Sequence, residues 1–235
     1  MHKTPVPFIP GCPKKLQEFV QDACLFDSSC SDAAKVWFSD KDGGFYIKSA
    51  SSGSLKEEAD MTAFFHSRKL GAEVLAYHPL EQDWLVTRAI PGEDCLHAAY
   101  LNDPRRLSET LGQLLRQLHE ADASGCPYAD RNETRYAHIP AALRQQYPDL
   151  LTGQVLLHGD YCLPNVMLHN WQFSGFIDVD SGGIGDRHID LYWGCWSILY
   201  NLKETRWCSR FLDAYGREDI EITKLHILNR FEFYK

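Results

Sequence analysis

The chain has 235 residues, 44% hydrophobic and 24% charged, which is enough for two lobes with apolar cores of their own. Its formal net charge of -8 argues against free nucleic acid as a partner and suits a cationic one. No run of about 18 apolar residues occurs, and the proline-broken start lacks the apolar segment of a signal peptide, so we expect neither a membrane span nor secretion. The eight cysteines show no CxxC pair and no zinc-type spacing, which predicts free thiols.

Two strands and a tight turn are predicted near the N terminus. A loop rich in small and hydroxyl residues, 29–34, precedes an apolar strand at 35–38. Asp42 and the two glycines after it predict a hairpin turn, because glycine tolerates the positive φ that a tight turn requires. The returning strand, 45–48, carries Lys48. The chain contains no GxxxxGK[ST] motif, which excludes a P-loop nucleotide-binding protein at the level of motifs.

A helix and a further strand complete the predicted N-terminal half. The helix opens at residues 55–59 and runs through Phe65, with the acids Glu57 and Glu58 near its start. Adjacent helix residues point about 100° apart, so only one of these acids can face the strand that carries the lysine. Residues 84–94 are predicted to form an apolar strand, a short connection and a polar turn.

The next predicted element is a helix of the second half. Asp103 or Asn102 can cap it, and Pro104 fits its first turn. His119 at its end is expected to be structural rather than a ligand. Leucines at helical spacing predict that the helix belongs to the core; they are Leu107, Leu111, Leu114, Leu115 and Leu118.

Three side chains suited to proton and metal chemistry follow within a short region. Asp160 and Asn165 lie five positions apart in a loop that follows the apolar residues 154–157, and Asp178 stands in a predicted strand at 173–179. An aspartate in such a loop can orient and deprotonate an attacking hydroxyl, while the asparagine amide oxygen and the second carboxylate are ligands for Mg²⁺. The pattern predicts a phosphoryl-transfer site.

These motifs resemble those of the aminoglycoside phosphotransferases, and among them the 3'-phosphotransferases of the kanamycin and neomycin resistance type. The resemblance is strongest in the segments 158–168, 174–178 and 185–190. It implies the α+β class with a protein-kinase-like two-lobe fold. The N-terminal antiparallel-sheet lobe, 1–91, would bind nucleotide, and the mainly helical C-terminal lobe, 92–235, would carry catalysis and acceptor binding.

The resemblance also implies the reaction and its setting. The γ-phosphoryl group of ATP or GTP would move, with Mg²⁺ as cofactor, to an aminoglycoside hydroxyl, which we expect to be the 3'-hydroxyl, and so give antibiotic resistance. We expect a cytoplasmic enzyme, because the family works in a reducing compartment, with a cationic small-molecule acceptor and no nucleic-acid or membrane partner. A monomer or a weak dimer is expected.

The family pattern assigns the nucleotide contacts to the first lobe. The loop at 29–34 resembles the family's phosphate-covering loop, in which Ser31 would contact phosphate. Lys48 would hold the α- and β-phosphates and pair with Glu58, which matches the pattern better than Glu57. The resemblance further implies that backbone groups form hydrogen bonds to the adenine; the candidates are Thr87, Ala89 and Ile90.

In the second lobe the resemblance implies Asp160 as the catalytic base and Asn165 and Asp178 as Mg²⁺ ligands. Asp190 is expected to be structural, because the family's acid at this place holds the catalytic loop through hydrogen bonds. The loss of Asp190 would then be costly although it is no catalyst.

The acceptor region departs from the family pattern. Typical 3'-enzymes have a longer helical segment with drug-binding acids where this chain has only residues 126–158. The acceptor candidates that remain are Asp130, Glu133, Asp180 and Glu232. Asp180 could widen the metal coordination, hold a cationic acceptor or simply cap a turn.

Three alternatives stay open at this point. One is a kinase of the same fold that acts on a sugar, an amino alcohol or a macrolide. Another is a nucleotide-binding pseudoenzyme whose short acceptor region no longer supports transfer. The third is a metal-dependent hydrolase built on His158, Asp160 and Asp178, against which the predicted nucleotide lobe argues.

Overall fold

The computed structural model describes residues 3–137, 139 and 141–231. The chain forms two compact units, Met1–Pro91 and Gly92–Lys235. An antiparallel sheet dominates the first unit and helices dominate the second, so the α+β class expected from the sequence is confirmed. Within the described residues, no helix combines the length and the apolar character needed to cross a bilayer.

The first unit is built on a six-stranded antiparallel sheet with the order β1-β2-β3-β4-β6-β5. Its strands are β1 (Thr4–Val6), β2 (Leu25–Asp27), β3 (Ala34–Ser39), β4 (Phe45–Ser51), β5 (Val74–Pro79) and β6 (Gln82–Arg88). Its helices are α1 (Gln17–Val20) and α2 (Lys56–Ser67).

The alternation of side chains along β4 decides where its lysine points. Phe45 and Ile47 are buried in an apolar cluster on one face of the sheet. Lys48 and Ala50 therefore lie on the opposite face, where Ala50 packs with Ala59 of α2. This packing brings the first turn of α2 alongside Lys48.

The predicted hairpin turn joins β3 to β4. Asp42, Gly43 and Gly44 have φ angles of 47°, 89° and 105°, which is the region that glycine adopts without strain. A Cβ atom at Gly44 would lie 2.8 Å from the ring of Phe38. The turn thus needs glycine at position 44, because of the positive φ and because a Cβ atom would collide with Phe38.

The second unit combines helices with short strands. The helices are α3 (Ala98–Leu101), α4 (Pro104–His119), α5 (Arg131–Ala137), α6 (Ala141–Gln146), α7 (His188–Leu202), α8 (Thr205–Tyr215) and α9 (Ile222–Phe231). The strands are β7 (Glu93–Asp94), β8 (Val155–Leu157), β9 (Val166–His169), β10 (Gln172–Phe176) and β11 (Gly183–Gly185). They form a three-stranded antiparallel sheet, β10-β9-β7, and an antiparallel pair, β11-β8.

Helix α4 is the core helix that the leucine spacing predicts. The side chain of Asp103 caps it by accepting the N–H of Arg106 at 3.1 Å, and Pro104 occupies the first turn. The helix packs against α8 with little space between the backbones. A Cβ atom at Gly112 would lie 2.3 Å from the carbonyl oxygen of Phe211.

We expect Gly112→Ala to lower the free energy of unfolding by about 1–3 kcal/mol, as overpacking of a core does. In an unobstructed helix the same change would stabilise the protein by up to about 1 kcal/mol, so the sign of the effect reports the close contact with α8. Urea denaturation measures the difference. The control is Gln113→Ala at the neighbouring exposed position, which should change stability by no more than about 0.5 kcal/mol.

Candidate active site

A buried carboxylate holds the backbone of the loop that follows β8. Asp190, in the first turn of α7, has no exposed surface. Its Oδ2 accepts the N–H of His158 at 2.7 Å, and its Oδ1 accepts the N–H of Gly159 at 2.8 Å. Hydrogen bonds to an ionised acceptor are stronger than neutral ones. The expectation that Asp190 holds the loop is confirmed.

His119 supports Asp190 from α4. Its Nε2 lies 3.2 Å from Oδ2 of Asp190, and its Nδ1 lies 2.8 Å from the hydroxyl of Tyr215. Burial lowers the pKa of His119 below its ordinary value, although the Asp190 carboxylate opposes this shift. A neutral ring can donate from Nε2 to the carboxylate and accept the tyrosine proton at Nδ1. His119 is structural, as expected.

The side chain of Asp160 is held at both carboxylate oxygens. The thiol of Cys162 lies 3.1 Å from Oδ1, and the amide nitrogen of Asn165 lies 3.0 Å from Oδ2. Burial, with a contribution from Asp160, raises the pKa of Cys162, so the thiol keeps its proton and acts as the donor. This contact was not predicted from the sequence, although Cys162 stands only two residues after the aspartate.

The hairpin of β9 and β10 brings Asn165 and Asp178 to the same end of the sheet. Asn165 comes just before β9, and its carbonyl oxygen accepts the N–H of Ile177 at 3.1 Å. The strand expected at 173–179 was too long, because β10 ends at Phe176. Asp178 follows in the left-handed region with φ 53°, a conformation that extended strands do not adopt and that aspartate tolerates better than most residues.

The oxygen donors at this end of the hairpin fit a Mg²⁺ ion. Asn165 directs its amide nitrogen to two oxygen atoms of Asp160, the carbonyl at 2.9 Å and Oδ2 at 3.0 Å. Both partners are acceptors, so the amide orientation is determined and its oxygen points elsewhere. Asp178 is exposed and adds a carboxylate. Mg²⁺ in phosphoryl-transfer sites takes one or two protein oxygens beside phosphate and water, which this set can supply.

The structure places His158, which the metal-dependent hydrolase would use at its metal, within the core. His158 has no exposed surface, and its ring packs edge-on against Tyr161 and Phe176. Its Nδ1 accepts the N–H of Asp160 at 3.3 Å. His158 thus shapes the loop from within the core.

The first unit contains an ion pair between the strand lysine and the helix acid. Nζ of Lys48 lies 2.7 Å from Oε2 of Glu58, and the two side chains are 21% and 11% exposed. Glu57 is exposed. The structure therefore pairs Lys48 with Glu58, because the packing of α2 turns Glu58 towards β4.

Ser31 lies exposed in the loop between β2 and β3. The ends of this loop are anchored. Ser29 donates its N–H to Oδ1 of Asp27 at 2.8 Å, and its own Oγ accepts the N–H of Val36 at 2.9 Å. These bonds leave Ser31 at the outer part of the loop.

The residues proposed to bind the adenine base of the nucleotide lie at and beyond the end of β6. Strand β6 ends at Arg88, so Thr87 belongs to β6 whereas Ala89 and Ile90 lie in the connection that follows it. The N–H of Ala89 donates to the carbonyl oxygen of Gly44 at 3.0 Å. Ala89 could therefore contact a base through its carbonyl group but not through this N–H.

The acidic acceptor candidates have local roles in the structure. Oδ1 of Asp130 accepts the N–H of Glu133 at 3.0 Å, which caps the start of α5. Oδ1 of Asp180 accepts the N–H of Ser181 at 2.7 Å within a turn. Asp130, Glu133 and Asp180 are all exposed. Glu232 lies outside the described residues.

Two further residues near the site, Arg131 and Arg135 of α5, were not predicted from the sequence. They bind backbone carbonyl groups close in the chain to Asp160 and Asp178. The signal available was their spacing of four residues, which would place them on one face of a helix. It could not show what the two side chains reach.

Comparisons with known proteins identify the family of the chain. A family model described as "Phosphotransferase enzyme family" matches residues 24–226. A protein of Lactococcus lactis named "Probable aminoglycoside 3'-phosphotransferase" is 40% identical over 94% of each chain.

Two solved structures share the fold. An aminoglycoside 3'-phosphotransferase of type VIII has a TM-score of 0.64 and 24% identity over 81% of this chain and 85% of its own. The streptomycin-ATP-APH(2″)-IIa ternary complex has a TM-score of 0.66 and 15% identity over 91% and 84%.

The fold and the family match define a phosphotransferase enzyme with a protein-kinase-like fold. Within that class, the chain belongs to the aminoglycoside phosphotransferase family.

The burial of neutral His119 predicts a pH dependence of stability. The pKa of His119 in the folded protein is below the ordinary value of 6.5, because burial disfavours the charged ring. The stability that the neutral ring contributes is therefore present above about pH 6.5, and it is lost as the pH falls through the folded pKa. We expect His119→Gln to reduce the stability lost between pH 7.5 and 5, as measured by denaturant unfolding. His169→Gln changes an exposed histidine and should leave that loss unchanged. An unaltered pH dependence in His119→Gln would contradict the assignment.

Proposed function

We propose that this enzyme transfers the γ-phosphoryl group of ATP or GTP to the 3'-hydroxyl of an aminoglycoside antibiotic and thereby confers resistance. The observation that carries the proposal is the carboxylate of Asp160, oriented by Asn165 and Cys162 on a loop that Asp190 holds. The name of the Lactococcus lactis relative supports the 3' position. The streptomycin-ATP complex among the similar structures supports a nucleoside triphosphate donor and an aminoglycoside acceptor.

In this mechanism Asp160 orients the attacking hydroxyl and accepts its proton. The hydroxyl oxygen forms a bond to the γ-phosphorus while the bond from that phosphorus to the bridging oxygen breaks, which releases the nucleoside diphosphate. The hydrogen bonds from Cys162 and Asn165 limit the rotation of the carboxylate, so its orientation is set before the acceptor arrives. A positioned general base typically contributes about 10² to 10⁴ in rate.

The remaining proposed contacts hold the nucleotide. The amide oxygen of Asn165 and the carboxylate of Asp178 would hold Mg²⁺, which supplies positive charge that neutralises the phosphates. In the first unit, Lys48 would bind the α- and β-phosphates while Glu58 fixes its ammonium group. Ser31 would contact phosphate from its loop. Backbone groups at and after the end of β6 would contact the base: Thr87, the carbonyl of Ala89, and Ile90.

The acceptor would be held by carboxylates that complement its positive charge. Asp130 caps α5, Glu133 lies in the first turn of that helix, and Asp180 lies in the turn after Asp178. All three are exposed, and Glu232 is a further candidate. The net charge of -8 would attract a cation over longer range. We place the enzyme in the cytoplasm as a monomer or a weak dimer, without nucleic-acid or membrane partners.

The short segment between residues 126 and 158 keeps the pseudoenzyme as the alternative that the acceptor panel must decide. The match to the Lactococcus lactis relative spans 247 aligned positions, which is more than the 235 residues of this chain, so the relative has residues that face gaps in this chain.

The test is release of nucleoside diphosphate by the purified protein with Mg²⁺ and ATP or GTP. The acceptor panel contains kanamycin, neomycin, aminoglycosides without a 3'-hydroxyl, macrolides, choline and simple sugars. We expect stimulation only by aminoglycosides that carry the 3'-hydroxyl, and a kcat lowered about 10²- to 10⁴-fold in Asp160→Asn with nucleotide binding retained. Stimulation by another class alone would assign a different acceptor, and stimulation by none would refute the proposal.

The pair of acids at the start of α2 offers a matched test of the nucleotide contacts. Glu58→Gln removes the carboxylate that fixes Lys48, and we expect kcat/KM for the nucleotide to fall about 10- to 100-fold, as expected when a phosphate-binding group is displaced. Glu57→Gln makes the same chemical change one residue away on an exposed face and should have little effect. Equal losses in both variants would show that the Lys48–Glu58 pair has no special role.

A further inference from the structure

Helix α5 carries two arginines one turn apart, and each binds a different loop. Arg131 donates from Nε to the carbonyl oxygen of Gly182 at 2.6 Å and from Nη2 to that of Asp180 at 2.8 Å. Arg135 donates from Nη2 to the carbonyl oxygen of Gly159 at 2.8 Å. Residues four apart lie on the same side of a helix, so one face of α5 contacts both loops.

These carbonyl groups lie next to the residues of the proposed chemistry. Gly159 immediately precedes Asp160, and Asp180 comes two residues after Asp178. The two loops also meet directly, since a Cβ atom at Gly159 would lie 2.0 Å from the carbonyl oxygen of Ser181. One arginine therefore binds each side of a contact between the loop of the proposed base and the loop of the proposed metal ligand.

The surroundings of Arg131 show a closely fitted guanidinium group. Its side chain is buried, with the residue 8% exposed, and its guanidinium carbon lies 4.3 Å from the ring centre of Tyr128. A Cβ atom at Gly183 would lie 2.8 Å from Cγ of Arg131, so the backbone at Gly183 packs directly against the Arg131 side chain. A buried cation is costly unless it is well paired, and here two carbonyl oxygens and an aromatic face provide the partners. A lysine could not reproduce the planar fork.

Helix α5 is itself fixed to the rest of the second unit. Nδ2 of Asn132 donates to the carbonyl oxygen of Gly153 at 2.9 Å, and its Oδ1 accepts the N–H of Asp186 at 2.7 Å. Tyr128, before the helix, accepts the N–H of Ile184 at 2.8 Å. The arginines thus extend from a helix that is anchored at three other points.

We propose that Arg131 and Arg135 are positioning residues for the phosphoryl transfer, which hold the Asp178 loop against the Asp160 loop. The inference rests on the proposed function. Phosphoryl transfer depends mainly on alignment and charge neutralisation, and a misplacement of about 1 Å can cost roughly 10²-fold in rate. The two arginines fix the relative placement of the base and the metal ligand without touching the reacting atoms.

The kinetic test uses Arg131→Lys, which keeps the charge but loses the fork, and Arg135→Gln. We expect each variant to lower kcat by about tenfold or more, with the KM for nucleotide changed by less than about threefold, because the groups proposed to bind nucleotide are unaltered. Arg105→Lys and Arg105→Gln are matched controls on α4, where Arg105 is exposed and pairs with Glu109. All rates are measured well below the melting temperature of each variant and expressed per folded enzyme.

Hydrogen exchange of the protein without ligands gives a second readout. We expect faster amide exchange in residues 178–186 of Arg131→Lys and in residues 157–165 of Arg135→Gln, with α4 unchanged. A variant with lower thermal stability but wild-type kcat would show a structural role only and would overturn the inference.

The two proposals fail in distinguishable ways. If the wild-type protein transfers phosphate to no acceptor, the proposed function is wrong, and the exchange experiment still decides on the arginines. Unchanged exchange in both loops would then refute the inference, whereas faster exchange confined to the loop that each arginine binds would support it.

Discussion

The carboxylate of Asp190 is fully buried and accepts the backbone N–H groups of His158 and Gly159, while His119 contacts it from α4. A buried carboxylate without hydrogen-bond partners would destabilise the fold by several kcal/mol. A movement of the loop that broke these two bonds would therefore be unfavourable by about that amount. The same bonds satisfy two backbone donors that would otherwise be buried without partners. The conformation of the loop that carries Asp160 follows from this constraint.

The other contacts of the second unit extend the constraint to neighbouring segments. The hairpin of β9 and β10 places Asp178 one residue beyond Ile177, whose N–H binds the carbonyl group of Asn165. Asn165 in turn binds Asp160 through its amide nitrogen. Each proposed reactive group is thus tied to the next by a hydrogen bond or a single peptide unit, which limits how far any of them can shift alone.

The sequence predicted most of the elements, and its errors lie at strand ends and in long-range contacts. The strand expected at 173–179 ends at Phe176, because Asp178 adopts a left-handed conformation that its apolar neighbours do not signal. Local patterns report which face of an element is apolar. They do not report that α5 reaches two distant loops or that Cys162 donates to Asp160.

The amino-acid sequence by itself determined the individual elements and the order of the motifs, because alternation, helical spacing, glycine turns and short motifs are encoded by near neighbours in the chain. The class of the fold and the family followed from the resemblance of those motifs to a known family. The choice between Glu57 and Glu58 illustrates what the sequence left open, since both acids occupy the same helical turn. Only the packing of α2 on β4 turned Glu58 towards Lys48. The orientation of a side chain and its partners depends on residues far apart in sequence, and only the tertiary structure brings those together.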